Sequence, residues 1–158
     1  MTTLAKTSLA TTILIAGLIV GTADILAAFI QTLIAGRSII SMLQFIASGV
    51  FGRTCISGTP DVYAAAGLFF HYIIATSWAA LFFLLYPTIS RFIKSKILIG
   101  VLYGAFVWLM MNKVVLPLSQ TPPLKPTVTS ALIGMSIIIA ALGIPLALLA
   151  HRYYYKTR

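Results

Sequence analysis

The stretch LATTILIAGLIVGTADILAAFIQTLIA, residues 9–35, is apolar almost without interruption. About 20 such residues are enough for a helix to cross the hydrocarbon core of a bilayer, roughly 30 Å thick. The run is therefore predicted to span a membrane. One residue conflicts with that prediction: Asp24, one of only two acids in the 158-residue chain. A charged Asp at mid-membrane costs roughly 2.5–3.5 kcal/mol on insertion scales. It is tolerated when it is held neutral or paired with a polar partner on a neighbouring helix. Asp24 is accordingly expected to face other helices and not lipid.

The rest of the chain agrees with this expectation. Hydrophobic residues make up 60% of it and charged residues 8%, against roughly 25% charged in soluble domains. Three further runs are long enough to span, at residues 63–86, 97–116 and 131–150. The predicted fold is an all-α polytopic transmembrane helix bundle forming a single domain over residues 1–158. The N-terminal segment has a lysine followed by an apolar core, as a signal peptide does. Its apolar run continues to Ala35, so it is read as a retained helix.

A fifth apolar stretch, residues 38–52, would reach only about 22 Å as a helix, too short to span. Ser38, Ser41, Gln44 and Ser48 share one of its helical faces, and Ile40, Leu43, Ala47 and Val50 lie on another. Such a pattern fits an interfacial or a re-entrant helix, and Gly49 and Gly52 would let it turn. Pro122, Pro123 and Pro126 are expected to form an extended loop after the third span, and Pro145 to kink the fourth. Tyr153, Tyr154 and Tyr155 suit the head-group layer.

The formal net charge is +9. The basic residues fall between the apolar runs, where they fix topology and meet anionic lipid. Membrane lipids, and not nucleic acid, are the expected partners. Lys6, Arg91, Lys94, Lys96, Arg152, Lys156 and Arg158 would share one side of the membrane; Arg37, Arg53, Lys113 and Lys125 would share the other. Seven against four predicts cytoplasmic N- and C-termini. Arg37 and Arg53 flank the short helix and are candidate outer-face contacts for an anion or a head group. Ordinary interfacial anchoring would place them there equally well.

Each span carries a stripe of small residues of the kind that lets membrane helices approach. The stripes are Gly17, Gly21, Asp24 and Ala28; Ala64, Gly67, His71, Ala75 and Ala79; Gly100, Gly104, Trp108 and Asn112; and Ser130, Gly134 and Ala141. Counted at 1.5 Å per residue, Asp24 and His71 lie about 17 and 12 Å below the same end of their helices. The two could therefore meet, with Arg53 and Lys113 as other possible partners for Asp24. An intramembrane acid beside an imidazole is a candidate proton or ion site. It could equally be a hydrogen bond that fixes helix register.

Cys55 is the single cysteine, expected to be a small apolar filler. There is no HExxH, GxSxG or Walker loop. Two acids and two histidines make a carboxylate pair or a three-ligand metal site hard to build. The chain is therefore read as no enzyme, with no cofactor and no metal.

GTADILAAF, LQFIASGVFG, the HYIIA around His71 and YGAFVWLMMNKVVLPLS together resemble an uncharacterised family of small four-helix bacterial inner-membrane proteins. They bear a more distant similarity to the YagU-type proteins associated with acid tolerance. The resemblance covers roughly residues 20–118 and bears on the polar positions raised above. It implies that Asp24, Gln44, His71 and Asn112 occupy motif positions, and it assigns them no role. The expectation is a polar cluster of these four residues in a small proton-responsive transporter or channel. The alternative is a non-transporting structural or regulatory membrane protein that binds lipid or partner helices. Four helices leave little internal volume, so an aqueous path would call for a homo-oligomer.

Overall fold

The computed structural model describes residues 8–57, 59–123 and 127–155. Lys6, Lys125, Pro126, Lys156 and Arg158 lie outside the described residues. Four helices are long and apolar enough to cross a membrane: Leu9–Ile34, Pro60–Phe92, Lys96–Leu118 and Val128–Tyr155. The chain is an all-α helical bundle, with no strand among the described residues.

α1 (Leu9–Ile34) starts on Ser8, whose hydroxyl accepts the Thr11 N–H at 3.1 Å. That satisfies one of the four donors a helix start leaves unpaired. Gly36, with φ +67°, turns the chain beyond the end of α1, a backbone conformation that costs glycine little. α2 (Ile39–Phe51) follows, and Gly52, also with φ +67°, turns it into the short α3 (Thr54–Ser57). α4 (Pro60–Phe92) is 33 residues long, about 50 Å at 1.5 Å per residue. It outruns the predicted 63–86 at both ends. Pro60 in its first turn is pre-set for helix. Asp61 near its start and Arg91 in its last turn suit the helix dipole.

Pro87 lies inside α4 and cannot donate to the carbonyl of Phe83. The Tyr154 hydroxyl donates to that carbonyl instead, at 2.9 Å. The other two internal prolines are handled differently. The third span consists of α5 (Lys96–Met110), a π-turn at Met111–Val115 and α6 (Leu116–Leu118); Pro117 follows the π-turn by two residues. The fourth consists of α7 (Val128–Ile138), a π-turn at Ile139–Gly143 and α8 (Ile144–Tyr155), with Pro145 in the same relation to it. A widened turn just ahead of each proline relieves the clash of its ring with the carbonyl four residues back.

α1 packs on α4, α5 packs on the fourth span, and α1 also touches the fourth span. The small-residue stripes make these contacts. Gly17 lies against Thr76 and Gly21 against Tyr72 and Ala75. Gly104 lies against Ile139, and Gly100 against Gly143. The termini end of the bundle holds the main core: Phe82, Phe83, Tyr86, Tyr103, Val107 and Leu146 with their neighbours. Tyr153 and Tyr154 are half-buried and pack their rings on Phe83, so they belong to this core as much as to any head-group layer. His151 is also half-buried and hydrogen-bonds the Tyr86 hydroxyl through Nδ1 at 3.2 Å.

At the opposite end, α2 bridges the bundle. Its first half packs with Ile25 of α1 and Ala64 of α4, and Gly67 of α4 has no side chain where the Leu43 carbonyl approaches. Its C-terminal end is held by the segment after the third span. There the Gln120 N–H donates to the Gly49 carbonyl at 3.2 Å and the Gln120 side-chain amide to the Val50 carbonyl at 3.0 Å.

Candidate functional site

The register of α1 against α4, set by Gly17 opposite Thr76 and Gly21 opposite Ala75, brings His71 to α1 one turn away from Asp24. The imidazole Nε2 lies 2.9 Å from the Gly21 carbonyl. A carbonyl only accepts, so Nε2 carries the proton of this bond, and Nδ1 is the nitrogen left to gain or accept one. Asp24 is half-buried and close enough to His71 for their charges to interact. Beside them, the Thr22 and Tyr72 hydroxyls share a hydrogen bond of 2.9 Å that also joins α1 to α4.

The expected fourfold cluster is not assembled. Asp24 and His71 make no hydrogen bond or ion pair with each other among the described residues. The reason is local: Gly21 has no side chain to shield its carbonyl, and the imidazole bonds that backbone group. Gln44 is buried elsewhere, in α2, where its side-chain amide donates to the Cys55 carbonyl at 2.9 Å and ties α3 back onto α2. Asn112 sits on the third span and donates to the Trp108 carbonyl of its own helix at 2.9 Å. Arg53 is exposed and lines neither of two cavities at this end.

One cavity, of about 310 Å³, lies between α1 and α2 and is lined by Gln31, Thr32, Arg37, Ser38 and Ser41 with Ala28, Met42 and Phe45. Arg37 is thus at a cavity mouth, as an anion-contact residue would be. Ala28, in the wall, is one helical turn from Asp24. Gln31 and Thr32 were not singled out from the sequence. The signal was present for Gln31, which continues the spacing of Asp24 and Ala28 along α1.

Cys55 is fully buried, as a filler residue would be, and burial pushes its thiol pKa up. The Ser48 hydroxyl is spent on the Phe45 carbonyl at 2.6 Å and that of Ser77 on the Ile73 carbonyl at 2.8 Å.

The chain matches no protein-family model, no curated protein and no solved structure.

Proposed function

We propose that the chain is a small proton-responsive membrane transporter in a bacterial inner membrane, with Asp24 and His71 as the groups that exchange the proton. One observation carries this reading: an acid inside a spanning helix lies within electrostatic reach of an imidazole, one turn from a polar-lined cavity. Imidazole is the side chain whose unperturbed titration falls near neutral pH, and Nδ1 of His71 is not tied to the Gly21 bond. The core at the termini end is filled by rings and aliphatic side chains. An approach to the polar groups would therefore lie at the α2 end, which favours a carrier with one side open over a continuous pore. The basic residues flanking the spans in the sequence, more numerous on the predicted side of the termini, support cytoplasmic termini. The small interior supports assembly as a homo-oligomer if water is to cross.

A second reading, a structural or regulatory membrane protein binding lipid or partner helices, is favoured by a different observation. Gln44, His71 and Asn112 each bond a backbone carbonyl, as side chains that only fix helices do. Proteoliposomes with an internal pH-sensitive dye separate the two. Proton or proton-coupled solute flux that Asp24→Asn abolishes without unfolding the protein supports transport. No flux under any imposed gradient, with Asp24→Asn lowering only thermal stability, refutes transport and leaves the second reading.

A further inference from the structure

A second cavity, of about 420 Å³, plays no part in the Asp24–His71 reading. It lies on the other side of Phe45, between α2 and the third span, and its wall includes Trp108, Asn112, Lys113, Thr121 and Pro122. We propose that this cavity binds the phosphate head group of an anionic phospholipid, with Lys113 and Asn112 as its donors and the Trp108 ring in its wall.

Lys113 has no acidic partner among the described residues. The chain has only two acids to offer: Asp24 lies within electrostatic reach of His71, and Asp61 is exposed in the first turn of α4. An unpaired ammonium near the end of a spanning helix, inside a concave wall, attracts an anion. One neutral donor joins it. The Asn112 amide spends one N–H on the Trp108 carbonyl and has a second. The Trp108 ring lines the cavity while its indole nitrogen lies against Gly134 of α7, and indoles favour the level of lipid head groups. Lys113 and Asn112 lie in the π-turn that Pro117 imposes. The widened turn puts the two consecutive side chains on one cavity wall.

The choice of a lipid over a free anion rests on the remaining surface. Phe45, Pro122 and Pro117 make the cavity wall largely apolar. Leu109, one turn from Lys113 on the same helix face, is half-exposed. A phosphate seated on Lys113 would thus have its acyl chains beside an apolar stripe already facing the bilayer.

Trp78 and Trp108 are the only tryptophans, which permits a direct test. The full-length Trp78→Phe protein is reconstituted into phosphatidylcholine containing increasing fractions of phosphatidylglycerol with brominated acyl chains, and Trp108 fluorescence is read. Brominated phosphatidylcholine serves as the reference. A roughly fivefold preference for phosphatidylglycerol is expected, the size of one lysine acting near a membrane surface. Lys113→Gln should bring the ratio to about one, while Lys113→Arg keeps it. Equal quenching by the two lipids, or a preference that survives Lys113→Gln, overturns the proposal. So does relief of the preferential quenching by excess inorganic phosphate, which would assign the cavity to a free anion. Lipid counts by native mass spectrometry on the unsubstituted protein and on Lys113→Gln check the result without the Trp78 change; loss of one bound phosphatidylglycerol is expected, and an unchanged count refutes it.

Discussion

Gly100→Ala tests a close backbone-to-backbone contact between the third and fourth spans. A Cβ at position 100 would lie 2.8 Å from the Gly143 carbonyl oxygen and 2.8 Å from Ile144 Cα, with the Gly143 carbonyl carbon at 3.1 Å. All three atoms are backbone of the facing helix, so no side chain can swing aside. Ordinary contact begins near 3.4 Å, and restoring it separates the third and fourth spans by about 0.6 Å at this level. A gap of roughly 0.5–1 Å forfeits a quarter to a half of each dispersion contact along the seam. Overpacking of this kind costs about 1–3 kcal/mol, and the better helix propensity of alanine returns at most about 1. The expected net loss is about 2 kcal/mol. Gly49→Ala is the control, because a Cβ there meets Thr121 Oγ1 at 3.4 Å and nothing closer; it should be neutral to mildly stabilising. Reversible unfolding of the detergent-solubilised protein by increasing SDS, followed by circular dichroism, measures both. A Gly100→Ala protein within about 0.5 kcal/mol of Gly49→Ala would mean that the spans do not approach as described.

Two further tests probe the hydrogen bonds that hold the ends of the bundle. Cys55 is buried and its thiol pKa raised, so less of it is thiolate at neutral pH than in the unfolded chain. Alkylation of the folded protein should be slow, with its pH–rate profile displaced upward, and Gln44→Ala should speed it by freeing α3; labelling as fast as in SDS would contradict the burial. At the other end, Tyr154→Phe should cost about 1 kcal/mol by leaving the Phe83 carbonyl unpaired. In a Pro87→Ala background, where residue 87 regains an N–H for that carbonyl, the same substitution should cost clearly less, and strict additivity in the double-mutant cycle would sink the assignment.

The number and order of the spans were legible because a bilayer demands length and apolarity, and both are written in composition. Their ends were less so. Pro60, Asp61 and Arg91 extend α4 through capping and dipole effects that hydropathy does not count. The pairing of Gly100 with Gly143 was missed for a geometric reason. Ser130, Gly134 and Ala141 follow a regular helical spacing, but the π-turn at Ile139–Gly143 adds a residue to one turn. Everything beyond it is rotated by about one residue's angle, so the face meeting α5 passes through Gly143. Pro145 is visible in the sequence; which turn widens in answer to it is decided by the neighbour. For the candidate site, helix spacing placed Asp24 and His71 at similar depth, and the structure leaves them within electrostatic reach but unbonded. It could not separate Gln44 and Asn112 from them, because that depends on where α2 crosses.

The face that α2 buries shows how far water-based logic misleads here. Its serines and glutamine suggest a side turned to solvent. In the structure Gln44 and Ser48 are buried with Leu43 and Ala47, while Ile40, Val50 and Phe51 are exposed. A helix surrounded by water gains nothing by that arrangement, since it would bury amides and leave large apolar groups wet. A helix partly surrounded by acyl chains does gain, because lipid solvates isoleucine and valine as well as a protein core does and offers an amide nothing. Each buried polar group of α2 has the partner this requires: the Cys55 carbonyl for Gln44 and the Phe45 carbonyl for Ser48. The same reasoning turns Asp24 toward α4. A carboxyl turned to the bilayer would find no polar companion, and Asp24 is accordingly half-buried, within electrostatic reach of His71 but not bonded to it.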